Sequence, residues 1–316
     1  MKALVTGTAG FIGSHLAERL LADGVEVRGV DRLSDYYDPA IKRENLAGPL
    51  EDSRFELIEG DLVELDLDSL LDGCDLVYHL AAQPGVRVSW GDEFGVYLRD
   101  NVLATQRLLE AARETSLERF VLSSSSSVYG DAESFPTAET DRRSPVSPYG
   151  VTKLAAAQLA EMYFKGFGVP TVTLRYFTIF GPRQRPDMAF SRFIAAALSD
   201  RPIEVYGDGG QERDYTYVAD AVEATVAAGA KGAPGAAYNV AGGNRATVAE
   251  VIEQLGKLLG APPTVENAPV VVGDARKTGA DIARAREGLD YSPQVSLADG
   301  LAMQIESARE RADVVH

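Results

Sequence analysis

Cysteine is almost absent from this 316-residue chain: Cys74 stands alone, so no internal disulfide can form and a cysteine-based structural zinc site is excluded. Histidine is nearly as scarce, with three in all, and no metal is expected. Basic residues are outnumbered, 31 Lys and Arg against 47 Asp and Glu, for a formal net charge of −16. A duplex-binding surface needs Lys and Arg to neutralise phosphates, so no nucleic-acid partner is expected; acidity on this scale reads as solubility or the salt regime of the host. An anionic ligand would have to find local cations, for which Arg175, Arg183, Arg185, Arg192, Arg213 and Arg276 are the candidates in the second half. No apolar run approaches the roughly 18 residues of a membrane helix, and no membrane partner is expected. The chain passes from Met1 and Lys2 directly into Ala3, Leu4 and Val5, without the pattern of a signal peptide, so a cytoplasmic location is expected.

What is present is the composition of a globular protein, 45% hydrophobic and 25% charged. Strand-like and helix-like segments alternate through the first half, the mark of a parallel sheet covered on both faces by helices. Lys2 to Thr6, Val25 to Val30, Phe55 to Glu59, Leu76 to Leu80, Phe120 to Ser123 and Thr171 to Tyr176 read as strands. Ile12 to Ala22, Val96 to Thr115 and Tyr149 to Phe167 carry apolar residues at helical spacing. After Gly181 and Pro182 the elements shorten and are broken by Gly and Pro. The expected fold is therefore α/β, a Rossmann-type doubly wound parallel sheet with a smaller C-terminal substrate-binding α/β lobe. The expected division is 1–177, joined again by about 217–242, with 178–316 as the smaller domain.

Gly7, Gly10 and Gly13 join the first strand to the first helix. Glycines there let the backbone turn, approach a pyrophosphate and pack helix against sheet, while the helix N-terminus offers N–H groups to the anion. A three-glycine pattern alone is weak, but its strand-to-helix setting and the Asp31 that ends the second strand give it context. Asp31 can accept hydrogen bonds from the adenosine ribose and would repel a 2′-phosphate, so NAD is favoured over NADP; Arg32, next in sequence, could instead pair with a phosphate.

Ser147 and Pro148 suit a helix start, and Tyr149 and Lys153, four residues apart, then share one face. A nearby ammonium and the positive nicotinamide ring both favour phenolate, which would lower the Tyr149 pKa toward working pH and make it a usable general base. An isolated Tyr and Lys at this spacing are more often a surface pair; the preceding glycine loop and the serine run Ser123 to Ser127, at a strand end where ligands of such sheets bind, argue for function.

Taken together, the glycine loop, His79 to Ala82, Asn101, the serine run, Tyr149 with Lys153, Arg175 to Phe177, and Gly207 to Gly209 followed by Arg213 to Tyr215 resemble the extended short-chain dehydrogenase/reductases, within the NAD-dependent epimerase/dehydratase family. The resemblance spans essentially the whole chain. It implies a tightly held NAD contacted by Gly7, Gly10, Phe11, Ile12, Gly13, Asp31, Arg32, Asp61, Leu62, Leu80, Ala81, Ala82, Gln83, Asn101, Ser123, Tyr149, Lys153, Tyr176 and Thr178. It implies Ser125, Tyr149 and Lys153 as the catalytic set.

Dehydratases and decarboxylases of the family carry Glu at the position of Ser127, and dehydratases an Asp at that of Ser126, so the chemistry implied here stops at C4 epimerisation. Galactose-type epimerases have Asn at the position of Thr178, whereas UDP-glucuronate 4-epimerases have Thr, followed by a run similar to Arg185-Pro-Asp-Met188-Ala189. Asp35 to Pro39 and Pro84 to Arg87 also look like that group. The resemblance implies a UDP-sugar held by Arg87, Ser125, Ser126, Ser127, Tyr149, Thr178, Arg185, Met188, Ala189, Val205, Arg213, Asp274 and Arg276. It also implies a homodimer through a four-helix bundle. Rival readings are a UDP-glucose/UDP-galactose 4-epimerase, a nucleotide-sugar decarboxylase or reductase, and a dinucleotide-sensing protein without turnover. His79 is expected beneath the cofactor without a catalytic role, and Cys74 in the core.

Overall fold

The computed structural model describes residues 1–270, 273 and 275–314. In chain order its strands are β1 (Lys2–Thr6), β2 (Glu26–Asp31), β3 (Phe55–Glu59), β4 (Leu76–His79), β5 (Arg119–Ser125), β6 (Thr171–Tyr176), β7 (Ile179–Phe180), β8 (Ile203–Tyr206), β9 (Glu212–Tyr217), β10 (Ala237–Val240), β11 (Asn244–Thr247) and β12 (Val265–Ala268). Seven form one sheet in the order β10-β6-β5-β4-β1-β2-β3. Every adjacent pair in it is parallel.

The burial of the short central strands fits this arrangement. All four residues of β4 and all six of β6 are buried, as strands covered on both faces must be. Successive side chains alternate between two cores. Val5, Tyr78 and Val121 pack on one face with Leu16 and Leu20 of helix Phe11–Ala22 and with Ala221 and Ala224 of helix Val218–Lys231. Leu4, Val77 and Phe120 pack on the other with Leu108 of helix Ala104–Ala112 and Ala156 and Ala160 of helix Pro148–Phe167. Strand order reverses between β1 and β4, which opens the crevice where ligands of such sheets bind.

The remaining strands make two small sheets, β11-β9-β7 and β12-β8, accompanied by helices Ala189–Leu198, Val248–Leu259 and Leu297–Val314. None of the helices among the described residues is long and apolar enough to cross a membrane.

Two elements depart from the sequence expectation. β5 extends through Ser125, so the serines continue the strand itself. The continuous helix expected over Val96 to Thr115 is instead Phe94–Tyr97, a π-helical segment Leu98–Leu103, and Ala104–Ala112. Wider π turns often occur at functional sites. This one carries Asp100 and Asn101, both buried.

Candidate active site

A cavity of about 500 Å³ lies along the C-terminal edge of the large sheet. Its floor begins at the β1 turn, where Gly7 has φ +71 and a Cβ on Gly13 would sit 2.1 Å from the Gly7 carbonyl oxygen. Only glycine permits that approach, and the helix Phe11–Ala22 then points its N-terminus into the space. Asp31, at the end of β2, is fixed by the backbone N–H groups of Ala9 (3.1 Å) and Leu33 (2.8 Å). The cradle and the carboxylate at this distance along the fold fit a dinucleotide.

Asn101, 2% exposed, ties the middle of the cavity together. Its Oδ1 accepts from the Gln83 N–H (2.7 Å), and its Nδ2 donates to the Gln83 carbonyl (3.1 Å) and to Thr152 Oγ1 (3.0 Å). Thr152 in turn donates to the Tyr149 carbonyl (2.8 Å). Thr105 donates to the Asn101 carbonyl (2.7 Å), so at the 3.0 Å contact between them His79 Nε2 must be the donor to Thr105. His79 Nδ1 is then the acceptor for Thr6 Oγ1 (2.7 Å), whose oxygen takes the Ala81 N–H (3.1 Å). Burial, helped by the Lys153 charge, pushes the His79 pKa down to about 3. The ring is therefore a neutral link between the β1 and β4 ends and the π-helical segment.

The Tyr149 end of the cavity is built on helix Pro148–Phe167. Ser147 caps it through the Gly150 N–H (3.1 Å), and Pro148 occupies its first turn. Tyr149 and Lys153 both face the cavity. Lys153 is 5% exposed and donates to the Ser123 carbonyl at 2.5 Å; burial lowers its pKa to about 8. In the nucleotide-free protein burial raises the Tyr149 pKa, opposed by the Ser125 hydroxyl and the Arg185 guanidinium. Ser125 accepts from the Ser127 N–H (3.1 Å) and donates to Ser127 Oγ (3.0 Å), which orders the serine turn beside the phenol. Arg185 is held by a two-pronged pair to Asp187, both at 2.9 Å.

Of the residues singled out in the sequence, Gly7, Gly10, Phe11, Ile12, Gly13, Asp31, Arg32, Asp61, Leu62, Leu80, Ala81, Ala82, Gln83, Ser123, Ser125, Ser126, Ser127, Tyr149, Lys153, Tyr176, Thr178, Arg185, Met188 and Arg213 line one continuous cavity. Asn101 stands behind that wall. Four others are placed elsewhere. Arg87 lies over the Tyr206 ring at 4.1 Å. Val205 is buried in β8, and Ala189 is an exposed residue opening a helix. Arg276 is engaged by Asp208 at 2.8 and 2.9 Å. Asp274 lies outside the described residues. The sequence reading missed Ser34, Tyr36, Tyr37, Lys42, Asp100, Ser124 and Thr278, which also line the cavity. Tyr36 and Tyr37 sat in a run already noted for its resemblance; Asp100 carried no local signal.

The sequence pattern of the NAD dependent epimerase/dehydratase family matches residues 3–241. The chain belongs to this family. Among similar members is the uncharacterised UDP-glucose epimerase YtcB of Bacillus subtilis (strain 168), 45% identical over 309 residues, 96% of this chain and 97% of that one. A UDP-glucose 4-epimerase of Mycolicibacterium smegmatis (strain ATCC 700084 / mc(2)155) is 38% identical over 319 residues, covering 99% and 100%. The crystal structure of UDP-glucuronic acid 4-epimerase from Bacillus cereus, in complex with UDP-glucuronic acid and NAD, superimposes with a TM-score of 0.96 at 44% identity, covering 98% of this chain and 100% of that one. The family member described here thus shares the Rossmann-type architecture and NAD dependence of an isomerase group.

Proposed function

We propose that this chain is a UDP-glucuronate 4-epimerase, converting UDP-glucuronate to UDP-galacturonate. The observation that carries this reading is the chemistry around Tyr149. Hydroxyls of Ser125, Ser126, Ser127 and Thr178 and the Arg185 guanidinium face the cavity there. The lining carboxylates among the described residues are Asp31, Asp61 and Asp100. The first ends β2 and the second follows β3, across the sheet from β5 and β6, and the third pairs with Arg32. An anionic sugar would thus meet hydroxyl donors and the Arg185 guanidinium, backed by Asp187, with no carboxylate beside Tyr149 in the cavity lining among the described residues. The likeness to the Bacillus cereus enzyme supports the same substrate.

When bound, NAD supplies a reversible hydride acceptor for C4. The chain's own residues supply the proton chemistry. With the positive nicotinamide ring and the Lys153 ammonium beside it, Tyr149 Oη would stand as phenolate, take the C4 hydroxyl proton and later return it, with Ser125 hydrogen-bonded to the same oxygen. The 4-keto sugar turns within the cavity and is reduced from its other face. Ser125, Ser126 and Thr178 hold the C6 carboxylate so that the C5–C6 bond stays away from the alignment in which a β-keto acid loses carbon dioxide.

We further infer a homodimer in which the helical stretch 94–112 and helix Pro148–Phe167 of two chains pack together. Val96, Leu98, Leu103, Val151, Met162 and Phe167 of these helices are exposed and apolar, which supports this packing. A sedimentation experiment giving only monomer would remove that part. The buried free thiol of Cys74 fits a reducing compartment, and the cytoplasm is the one we infer. We retain the division into 1–177 with 217–242, and 178–316, supported by the return of β10 to the large sheet.

The test is incubation of the purified protein, without added NAD, with UDP-glucuronate and separately with UDP-glucose, following the anomeric NMR signals. The galacto form is expected from UDP-glucuronate. Conversion of UDP-glucose alone would establish the second reading, which the Mycolicibacterium relative favours.

A further inference from the structure

We propose that Asp100 determines cofactor specificity by pinning Arg32, the guanidinium that would otherwise receive the 2′-phosphate of NADP. In Rossmann folds an acidic residue at the end of the second strand binds the ribose 2′-hydroxyl of NAD, and an arginine nearby accommodates the 2′-phosphate of NADP. This chain has both, side by side, as Asp31 and Arg32, and both line the cavity. Sequence alone therefore leaves the choice of cofactor to whichever side chain is free to act.

The structure assigns that freedom to Asp31. Arg32 donates Nη1 to Asp100 Oδ1 (2.9 Å) and Nη2 to Asp100 Oδ2 (2.5 Å), the fork-to-fork geometry of the strongest guanidinium–carboxylate pairs. Its Nη1 also meets Asp61 Oδ2 (3.1 Å). Arg99 closes the ring, reaching Asp61 at 2.8 Å and Asp100 at 2.9 Å. Both guanidinium charges are compensated within the cluster by Asp61 and Asp100, and Glu64, 3.4 Å from Arg99, adds a further negative charge. Asp100 is 8% exposed and sits in the π-helical segment, so it cannot follow Arg32 outward. Lys42, a second cation near Asp31, is directed at the Ser34 carbonyl (2.7 Å) and hydroxyl (2.9 Å) and lies 4.6 Å from the Tyr37 ring centroid, keeping its charge but not aimed as a fork. NADP is thus refused twice, by repulsion from Asp31 and by withdrawal of the fork that would bind the phosphate. Asp100 is a positioning residue in this scheme and touches no reacting atom.

The inference rests on the assignment of this cavity to NAD, and the experiment separates the two. Dissociation constants for NAD and NADP are measured by calorimetry on full-length protein freed of nucleotide, for wild type, Asp31→Asn, Asp31→Asn/Asp100→Asn, and Asp31→Asn/Glu64→Gln. The last removes the same charge from an exposed partner of Arg99 without touching Arg32. Releasing the fork should tighten NADP about tenfold in Asp31→Asn/Asp100→Asn relative to Asp31→Asn, the worth of one charge-assisted hydrogen bond. Glu64→Gln should leave NADP affinity where Asp31→Asn puts it, and adding Arg32→Ala to the Asp100 double variant should abolish the gain. Asp100→Ser serves as an independent route if the Asn variant does not fold. Equal gains from Glu64→Gln, or a gain that survives Arg32→Ala, would overturn the inference while leaving NAD binding intact. Failure of the wild-type protein to bind NAD would overturn the cofactor assignment itself.

Discussion

Replacing Lys153 by Met should change how stability depends on pH, in a window set by burial. In the folded, nucleotide-free protein the ammonium has lost water and donates to the Ser123 carbonyl, and its pKa falls from 10.5 to about 8. In the unfolded chain it titrates near its ordinary value of about 10.4. Below pH 8 both states bind the proton, so Lys153 contributes no slope. Between the two values the unfolded chain binds more protons than the folded one, and stability rises with pH. The slope is at most about 1.4 kcal/mol per pH unit, and the whole window is worth about 3 kcal/mol. Buried tyrosines, whose pKa values are raised, act in the opposite direction above pH 10, but they are common to wild type and variant and cancel in the difference. Denaturant unfolding of both proteins from pH 7 to 9.5 should therefore give a stability difference that is flat to about pH 8 and then shifts in favour of wild type. A difference that stays constant across the range would refute a desolvated ammonium at this position.

Tyr149→Phe should slow epimerisation by roughly 10²–10⁴-fold, the usual worth of a positioned proton-transfer group, with UDP-sugar binding retained by calorimetry; near wild-type turnover would assign the proton to another residue. Gly13→Ala places a methyl 2.1 Å from the Gly7 carbonyl oxygen and should yield protein that purifies without NAD, read from its absorbance spectrum; full cofactor occupancy would show the loop to be more yielding than its geometry implies. Thr178→Ala should raise the fraction of turnovers that end in carbon dioxide and a UDP-pentose, and an unchanged partition would remove Thr178 from control of the C6 carboxylate.

Much of this site was legible because it is written in local pattern. The glycines at 7, 10 and 13 announce a turn that only their lack of Cβ permits, and Ser147 with Pro148 marks the helix start that aims Tyr149 and Lys153. Short strands rich in β-branched and aromatic residues, such as β4 and β6, are readable as strands, and in the structure both are buried along their whole length. The π-helical turn was not legible. Widening one turn changes where Asp100 and Asn101 point without disturbing the apolar spacing around them, so the segment still reads as a plain helix.

What escaped the sequence is the pairing of charges across distance, and this matters more at one end of the cavity than at the other. The glycine turn and the helix N-terminus proposed for the pyrophosphate both follow from neighbours in the chain. Cofactor choice depends on whether Arg32 is free, and its partner Asp100 lies 68 residues away. The ionisation of Tyr149 likewise depends on burial and on Arg185, itself restrained by Asp187. A motif can therefore name the residues that face a ligand while leaving open which of them are already engaged. In this chain that engagement turns an adjacent Asp and Arg, ambiguous as letters, into one acceptor for a hydroxyl and one donor withdrawn from a phosphate.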